Sequence, residues 1–505
     1  MTHTGPSLSK STFLAGLQRS RRLWLSWHDP ALDEQGPGPI LEFGKTIGAK
    51  AHLLFPGGLV VSRDHKSFAA ALAATQRLMK DPNVPAVFEA AFEYDGVRIR
   101  VDIVERLGAG SWGLREVKSS TQPKDEHYDD IAIQLYVLRG SRVQIGSVEL
   151  IHVNGNYVRD DGPIVWREYF ARIDVNAAVE GRLAGLAGIV SEQHAVLQRQ
   201  RTPRVQPAHH CHAPFSCEFW DRCTARKPDD WIFHLPNLSQ RAFAQLRKAG
   251  IQSIGQIPRG FRLTERQAVI QRVVRSGREH VSKGLSRALR GFGPPAFYLD
   301  FETMNPAVPL YPGTRPYQRI PFQWSLHELD RRDTLTHKEF LADAATDPRP
   351  TFIASLLEAT QTSKFPIIVY SSFEKSVLDE MAALFPKHRR AIGGLKKRLR
   401  DLLSVVRQNV YHPGFDFSYS IKAVAPALAP SVHYDDLGDV ADGGAASSAF
   451  ERLATRNLGP EEVPVRLRQA LLAYCERDTV AMVQVHSAVR ARAGRKDRAR
   501  RLRRM

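Results

Sequence analysis

Asp300 and Glu302 lie two residues apart, behind the apolar run Ala296-Phe297-Tyr298-Leu299. A β-strand repeats every second residue, so the two acids point to one face. Like charges held together are costly unless a cation lies between them. Ligands that are all oxygen suit Mg²⁺ or Mn²⁺. On an exposed edge strand the same two acids would simply be solvated, so the argument for a metal rests on a second half-site. That half-site is Tyr474-Cys475-Glu476-Arg477-Asp478, inside a helical stretch that begins at Pro464. Tyr474 and Asp478 are four apart and share a helix face. Asp478 completes a ligand set with Asp300 and Glu302, and Tyr474 is placed to hydrogen-bond a water attacking a phosphate. Between the halves, Pro366-Ile367-Ile368-Val369-Tyr370 reads as a short strand. A helix follows, with Phe373, Val377 and Leu378 at helical spacing. Glu374 opens it, where the helix dipole favours a carboxylate.

A second constellation lies nearer the N-terminus. Residues 97–104 alternate as a strand should and include Asp102. The neighbouring strand, within Trp112-Gly113-Leu114-Arg115-Glu116-Val117-Lys118-Ser119, puts Glu116 and Lys118 on one face. Asp102 and Glu116 would share a metal, and Lys118 would stabilise or orient the nucleophile. A helix with Ile131, Gln134, Leu135 and Leu138 follows.

The C-terminal set resembles the RNase H-like 3′–5′ exonucleases of the DnaQ and RNase D class, in the version with a Tyr-x-x-x-Asp third motif. The resemblance implies Asp300, Glu302 and Asp478 as ligands of two metals that stabilise the attacking and leaving oxygens of a phosphodiester. It gives Glu374 the second-motif place, where Asp is usual, and Tyr474 the water. Asp401 competes with Glu374 for that place. The N-terminal set is similar to the RecB-type nucleases of the PD-(D/E)xK superfamily. By that resemblance His52, within Gly48-Ala49-Lys50-Ala51-His52, takes the histidine position and joins Asp102 and Glu116 as a metal ligand. Glu89 takes the acidic position before the central hairpin, and Gln134 the helix glutamine. The tyrosine often found four residues after that glutamine is replaced here by Leu138, with Tyr136 nearby.

Cys211, Cys217 and Cys223 fall within thirteen residues, interleaved with aromatics. They look like three ligands of an iron–sulphur cluster. In RecB-type nucleases with a 4Fe-4S cluster the fourth cysteine comes from an N-terminal helix, but here Arg19-Ser20 stands where Cys-Pro is expected. Three readings stay open: a cluster lacking one cysteine, a Zn²⁺ site completed by His28, His209, His210 or His212, and reduced thiols without metal. Cys475, inside the Tyr-x-x-x-Asp motif, is a poor substitute.

The elements that position these residues must be spread over 505 residues, enough for two or three domains. The fold class expected is α/β in both lobes: a PD-(D/E)xK restriction-endonuclease-like domain over 1–225, a helical segment over 226–290, an RNase H-like domain over 291–489, and a basic tail over 490–505. Ser239 as N-cap and Gly250 after a helix end mark the middle segment, which resembles a helix–hairpin–helix module or serves as a plain spacer. The Gly/Pro cluster Gly291-Phe292-Gly293-Pro294-Pro295 marks the next boundary. The net charge of +18 favours a polyanionic partner, and nucleic acid leads, DNA ahead of RNA. No apolar run is long enough to span a membrane, and the expected location is cytoplasmic. The order of domains resembles an uncharacterised bacterial two-nuclease family. The function expected is metal-dependent phosphodiester hydrolysis; the alternative is a nucleic-acid-binding protein with one or both sites inactive.

Overall fold

The computed structural model describes residues 6–29, 39–62, 67–108, 110–361, 363–434, 437–438, 440–460 and 462–502, with side chains omitted at 39–43 and 495–502. Residues 503–505 of the basic tail, and its side chains from 495, lie outside the described residues. The chain is mixed α/β and divides into two compact units. One is Met1–Arg226 with Ala307–Pro316; the other is Lys227–Pro306 with Tyr317–Met505. Of the helical stretch expected as a separate segment over 226–290, all but Arg226 clusters with the second unit, where β8 (His280–Val281) pairs with Val410–Tyr411. The excursion 307–316 belongs to the first unit because Arg159 Nη1 donates to the carbonyl of Pro309 (3.0 Å) and Tyr169 Oη donates to that of Ala307 (2.9 Å).

In the first unit, among the described residues, seven strands form one sheet. They are β1 (Leu8–Ser9), β2 (Leu59–Val60), β3 (Ala86–Tyr94), β4 (Val97–Gly108), β5 (Ser111–Lys118), β6 (Ile145–Val153) and β7 (Phe170–Asp174). The order is β2-β3-β4-β5-β6-β7, with β1 added parallel to β4. β3, β4 and β5 run as an antiparallel meander. β5 and β6 are parallel, which requires a crossover, and the helix Asp125–Gly140 supplies it. Ile131, Leu135 and Leu138 of that helix are fully buried in a core with Val101, Leu114, Phe13 and Leu23. The last two come from α1 (Lys10–Gln18) and α2 (Ser20–His28). Ser9 caps α1 by accepting from Thr12 N, while Thr12 Oγ1 accepts from Ser9 N. That capping box fixes Lys10 at the first helical position.

In the second unit a five-stranded sheet has the order β11-β10-β9-β12-β13. Its strands are β9 (Ala296–Met304), β10 (Ile320–Leu329), β11 (Leu335–Leu341), β12 (Ile367–Val369) and β13 (Leu399–Asp401). β10 is antiparallel to β9 and β11, whereas β12 is parallel to β9 and β13. β14 (Val410–Tyr411) pairs with β8. Alternation along β9 sorts its two faces. Phe297, Leu299 and Phe301 enter a core with Phe352, Ile353, Val377 and Leu378. Tyr298, Asp300 and Glu302 take the opposite face, against which the long helix Pro464–Leu502 packs. In the segment 227–290 Ser239 caps the helix Gln240–Lys248 by accepting from Ala242 N, and Gly250 follows that helix with a φ of 76°.

Candidate active site

In the second unit, β9 brings Asp300 and Glu302, and the long helix brings Tyr474, Cys475 and Asp478. Oxygens of Asp300 and Glu302 and the sulphur of Cys475 lie within 4.8 Å of one another, whereas neither Asp478 nor Glu374 joins them in such a group among the described residues. The Cys475 thiol points at Asp300 Oδ2, 3.4 Å away. Tyr434 Oη donates to Asp478 Oδ1 at 2.8 Å, and Tyr474 also donates to Asp478. Glu374 sits in the first turn of the helix Phe373–Leu384 and is buried. Its Oε2 is buried with no hydrogen-bond partner among the described residues. Asp401, the competing acid, spends its carboxylate as an N-cap, accepting from Ser404 N at 3.0 Å and Ser404 Oγ at 2.5 Å.

The electrostatics follow from this crowding. Burial, then the charges of Asp478, Glu302 and Glu374, push Asp300 well above the usual carboxylate range. Burial and Asp478 push Glu302 up to about 8. Burial, with a contribution from Asp401, pushes Glu374 up to about 8. Asp478 is also pushed up by burial, while hydrogen bonds from Tyr434 and Tyr474 and the charge of Lys422 pull the other way. Lys422 lies 5.0 Å from the centre of the Tyr474 ring and donates to the carbonyl of Ala441. Burial and the nearby acids push the Tyr474 phenol far above its ordinary value, so it stays a donor. Three buried acids and the partly buried Asp300 thus stand near one another, with one Glu374 oxygen left without a donor among the described residues.

In the first unit the compensation is of another kind. Asp102 stands on β4, Glu116 and Lys118 on β5, and Asp130 and Gln134 on the crossover helix. Asp102 Oδ2 accepts from Val117 N at 2.8 Å. Gln134 Nε2 donates to Glu116 Oε2 at 2.7 Å and to Asp130 Oδ1 at 3.0 Å. Lys118 Nζ donates to Glu116 at 2.6 Å and to Asp130 at 2.5 Å. Lys10 reaches Glu116 at 3.0 Å and Asp130 at 3.4 Å. Burial raises Glu116, but Lys10 and Lys118 outweigh it and hold the carboxyl well below its usual range. Burial and the charge of Glu116 instead push Asp102 up to about 7. Burial opposes the charge on Lys10, yet Asp130, Glu116 and Asp102 together hold its ammonium well above the ordinary value.

His52 stacks on Phe88 at 3.9 Å between ring centroids, and the next residue, Glu89, has a φ of 56°. His52, Asp102 and Glu116 are not among the three-residue groups whose ligand atoms lie within 4.8 Å in the described residues. The ammoniums of Lys10 and Lys118 lie against the carboxylates where a shared cation was expected. Leu138 is fully buried in the core, and Tyr136 Oη turns to Asp95 Oδ2 at 2.8 Å. Lys10, Asp130, Tyr434 and the contact of Cys475 with Asp300 were not read from the sequence. Asp130 alone carried a signal, being four residues before Gln134 on one helix face.

Cys211, Cys217 and Cys223 line a cavity of about 30 Å³ with Arg19, Arg21, Arg22 and His210. Cys217 N donates to Cys211 O at 2.7 Å. Burial raises the thiols of Cys217 and Cys223. At the expected place of a fourth ligand the α1–α2 junction presents Arg19, and Gln18 Nε2 ties it to the carbonyls of His210 (3.0 Å) and Phe215 (2.8 Å). Like the first-unit ligand set, the three thiols are not among the converging groups of three. Cys475 is buried within the second unit. Among the described residues no helix is long and apolar enough to cross a membrane.

Residues 297–420 match a family described as "Domain of unknown function (DUF2779)". No curated protein matches. Among solved structures, a chain titled "Crystal structure of SSO0001" is similar at 16% identity over 45% of this chain and 90% of that one, with a TM-score of 0.25.

Proposed function

We propose that the second unit is a metal-dependent 3′–5′ exonuclease of the RNase H-like kind, acting on nucleic acid and on DNA in preference to RNA. The observation that carries this reading is the convergence of Asp300 and Glu302 with Cys475 within 4.8 Å, beside the buried carboxylates of Asp478 and Glu374, whose charges are felt at Asp300, with Glu374 Oε2 lacking a donor among the described residues. The sheet order β11-β10-β9-β12-β13, with β10 alone antiparallel, supports the fold assignment. The net charge of +18 supports a polyanionic substrate.

In this reading Asp300, Glu302 and Asp478, with Glu374, hold Mg²⁺ or Mn²⁺, which when bound neutralises the scissile phosphate and lowers the pKa of the attacking water. Tyr434 fixes the rotamer of Asp478 by its hydrogen bond. Tyr474 stays protonated; its hydroxyl, which donates to Asp478 here, would turn its single proton to the water or a phosphate oxygen once a cation takes up the Asp478 carboxylate. Lys422 adds positive charge beside Tyr474, where it would meet a phosphate.

The first unit is proposed as a RecB-type lobe that holds nucleic acid, with Lys10 limiting its cleavage. The observation favouring that second reading is that Lys10 and Lys118 already neutralise Glu116 and Asp130, so a cation must displace an ammonium before it binds. The cysteine pocket offers three thiols, and a zinc or iron–sulphur group there would need its fourth ligand from a residue such as His210.

Labelled single- and double-stranded DNA and RNA, with Mn²⁺, Mg²⁺ or EDTA, test the proposal. We expect 3′ trimming with Mn²⁺, none with EDTA, and none for Asp300→Ala. Trimming by Asp300→Ala at the wild-type rate would sink it. Binding without any cleavage would favour a nucleic-acid-binding protein with dead sites.

A further inference from the structure

The long helix that presents Tyr474 and Asp478 to the acid cluster turns another face to the hairpin β10–β11. There His327 and His337, directly opposed across the two strands, stack with ring centroids 4.4 Å apart. Glu476 comes from the helix. One ring nitrogen of each histidine and one Glu476 oxygen lie within 4.8 Å of one another.

The hydrogen bonds behind these rings fix their tautomers. Thr479 Oγ donates to the carbonyl of Glu476 at 2.9 Å, so its oxygen acts as acceptor in its other contacts. It accepts from His327 Nδ1 at 2.8 Å and from Ser325 Oγ at 2.8 Å. With its proton given to Thr479, Ser325 Oγ accepts from His337 Nε2 at 2.9 Å. Each imidazole therefore spends its proton on a hydroxyl and keeps one lone pair, on Nε2 of His327 and Nδ1 of His337. The His337 lone pair faces Glu476 Oε1 at 3.6 Å. Two acceptors turned toward each other repel unless something positive lies between them.

We propose that His327, His337 and Glu476 form a site for a transition-metal cation, Zn²⁺ above all, distinct from the acid cluster. Two imidazole nitrogens and one carboxylate suit Zn²⁺, with water in the fourth position. Ser325 and Thr479 orient the ligating rings from behind, as outer-shell partners of metal-bound histidines do. The bound ion would pin the hairpin to the helix that carries Tyr474 and Asp478. This proposal does not depend on the nuclease reading.

The test uses the full chain equilibrated with Zn²⁺ at a buffered free concentration, followed by metal analysis of wild type, His337→Ala, His337→Gln, Glu476→Gln and Asp300→Ala. His337 and Glu476 are only partly buried, so their variants are expected to fold, and circular dichroism checks this. We expect both His337 variants to bind one Zn²⁺ per chain fewer than wild type, Glu476→Gln to bind it more weakly, and Asp300→Ala to keep it. Co²⁺ in place of Zn²⁺ should give visible d–d bands without thiolate charge transfer, and His337→Ala should lose them. That separates this site from the cysteines. Equal zinc content in wild type and the folded His337 variants overturns the proposal, as does a wild type that binds no zinc.

Discussion

Replacing Glu374 by Gln removes one charge from the acid cluster at almost equal size, so the cost of holding that charge can be read directly. Burial raises Glu374 from an ordinary 4.5 to about 8. In the unfolded chain it ionises near its ordinary value; in the native chain it keeps its proton several pH units longer. Between those two pH values the native state holds more protons than the unfolded one, and stability falls as pH rises. Below the lower value there is no cost, and above the upper value the cost is complete. At about 1.4 kcal/mol per unit, the ceiling is roughly 5 kcal/mol. Glu374→Gln escapes this cost. We therefore expect the variant to gain stability over wild type steadily between about pH 5 and pH 8 in EDTA, by urea unfolding followed through circular dichroism. Saturating Mn²⁺ should reverse the order, because wild type then gains a ligand that the variant lacks. A wild-type-to-variant difference that stays constant across that pH range in EDTA would refute the reasoning, since Glu374 would then carry its charge without penalty.

Two further substitutions probe the supporting contacts. Tyr434→Phe removes the donor that holds Asp478 Oδ1, and Mn²⁺ affinity by calorimetric titration should fall roughly tenfold or more, as for other outer-shell partners of metal ligands. An unchanged affinity would mean that Asp478 is held by other means or does not bind the ion. Lys10→Met strips one of the two ammoniums from Glu116 and Asp130. It should destabilise the metal-free chain by about 2–3 kcal/mol in thermal unfolding, with Mn²⁺ restoring part of the loss; no destabilisation in EDTA would remove Lys10 from the account of the first unit.

The sequence made the strand-borne acids legible because a period of two is a strong local signal. Phe297, Leu299 and Phe301 are buried on one face, and Asp300 and Glu302 share the other. The helix spacing of Tyr474 and Asp478 was legible for the same reason. Contacts that bridge long sequence separations were not. Lys10 meets Glu116 across 106 positions, and no local pattern in the N-terminal helix marks it. Tyr434 reaches Asp478 from a loop with no periodicity to read. His327 and His337 are cross-strand neighbours only once the β10–β11 register is fixed, and a slip of one residue would turn the rings to opposite faces. The segment 226–290 had recognisable caps at Ser239 and Gly250, but its attachment through β8 to β14 depends on a strand of two residues, too short to stand out.

The central claim is that the acids of the second unit meet around divalent cations. Anomalous diffraction from crystals of the full chain soaked in Mn²⁺ tests it most directly. We expect a manganese peak coordinated by Asp300, Glu302 and Asp478, with Glu374 beside it, and its loss in Asp300→Ala. Carboxylates that remain in place around no ion at saturating Mn²⁺ would contradict it.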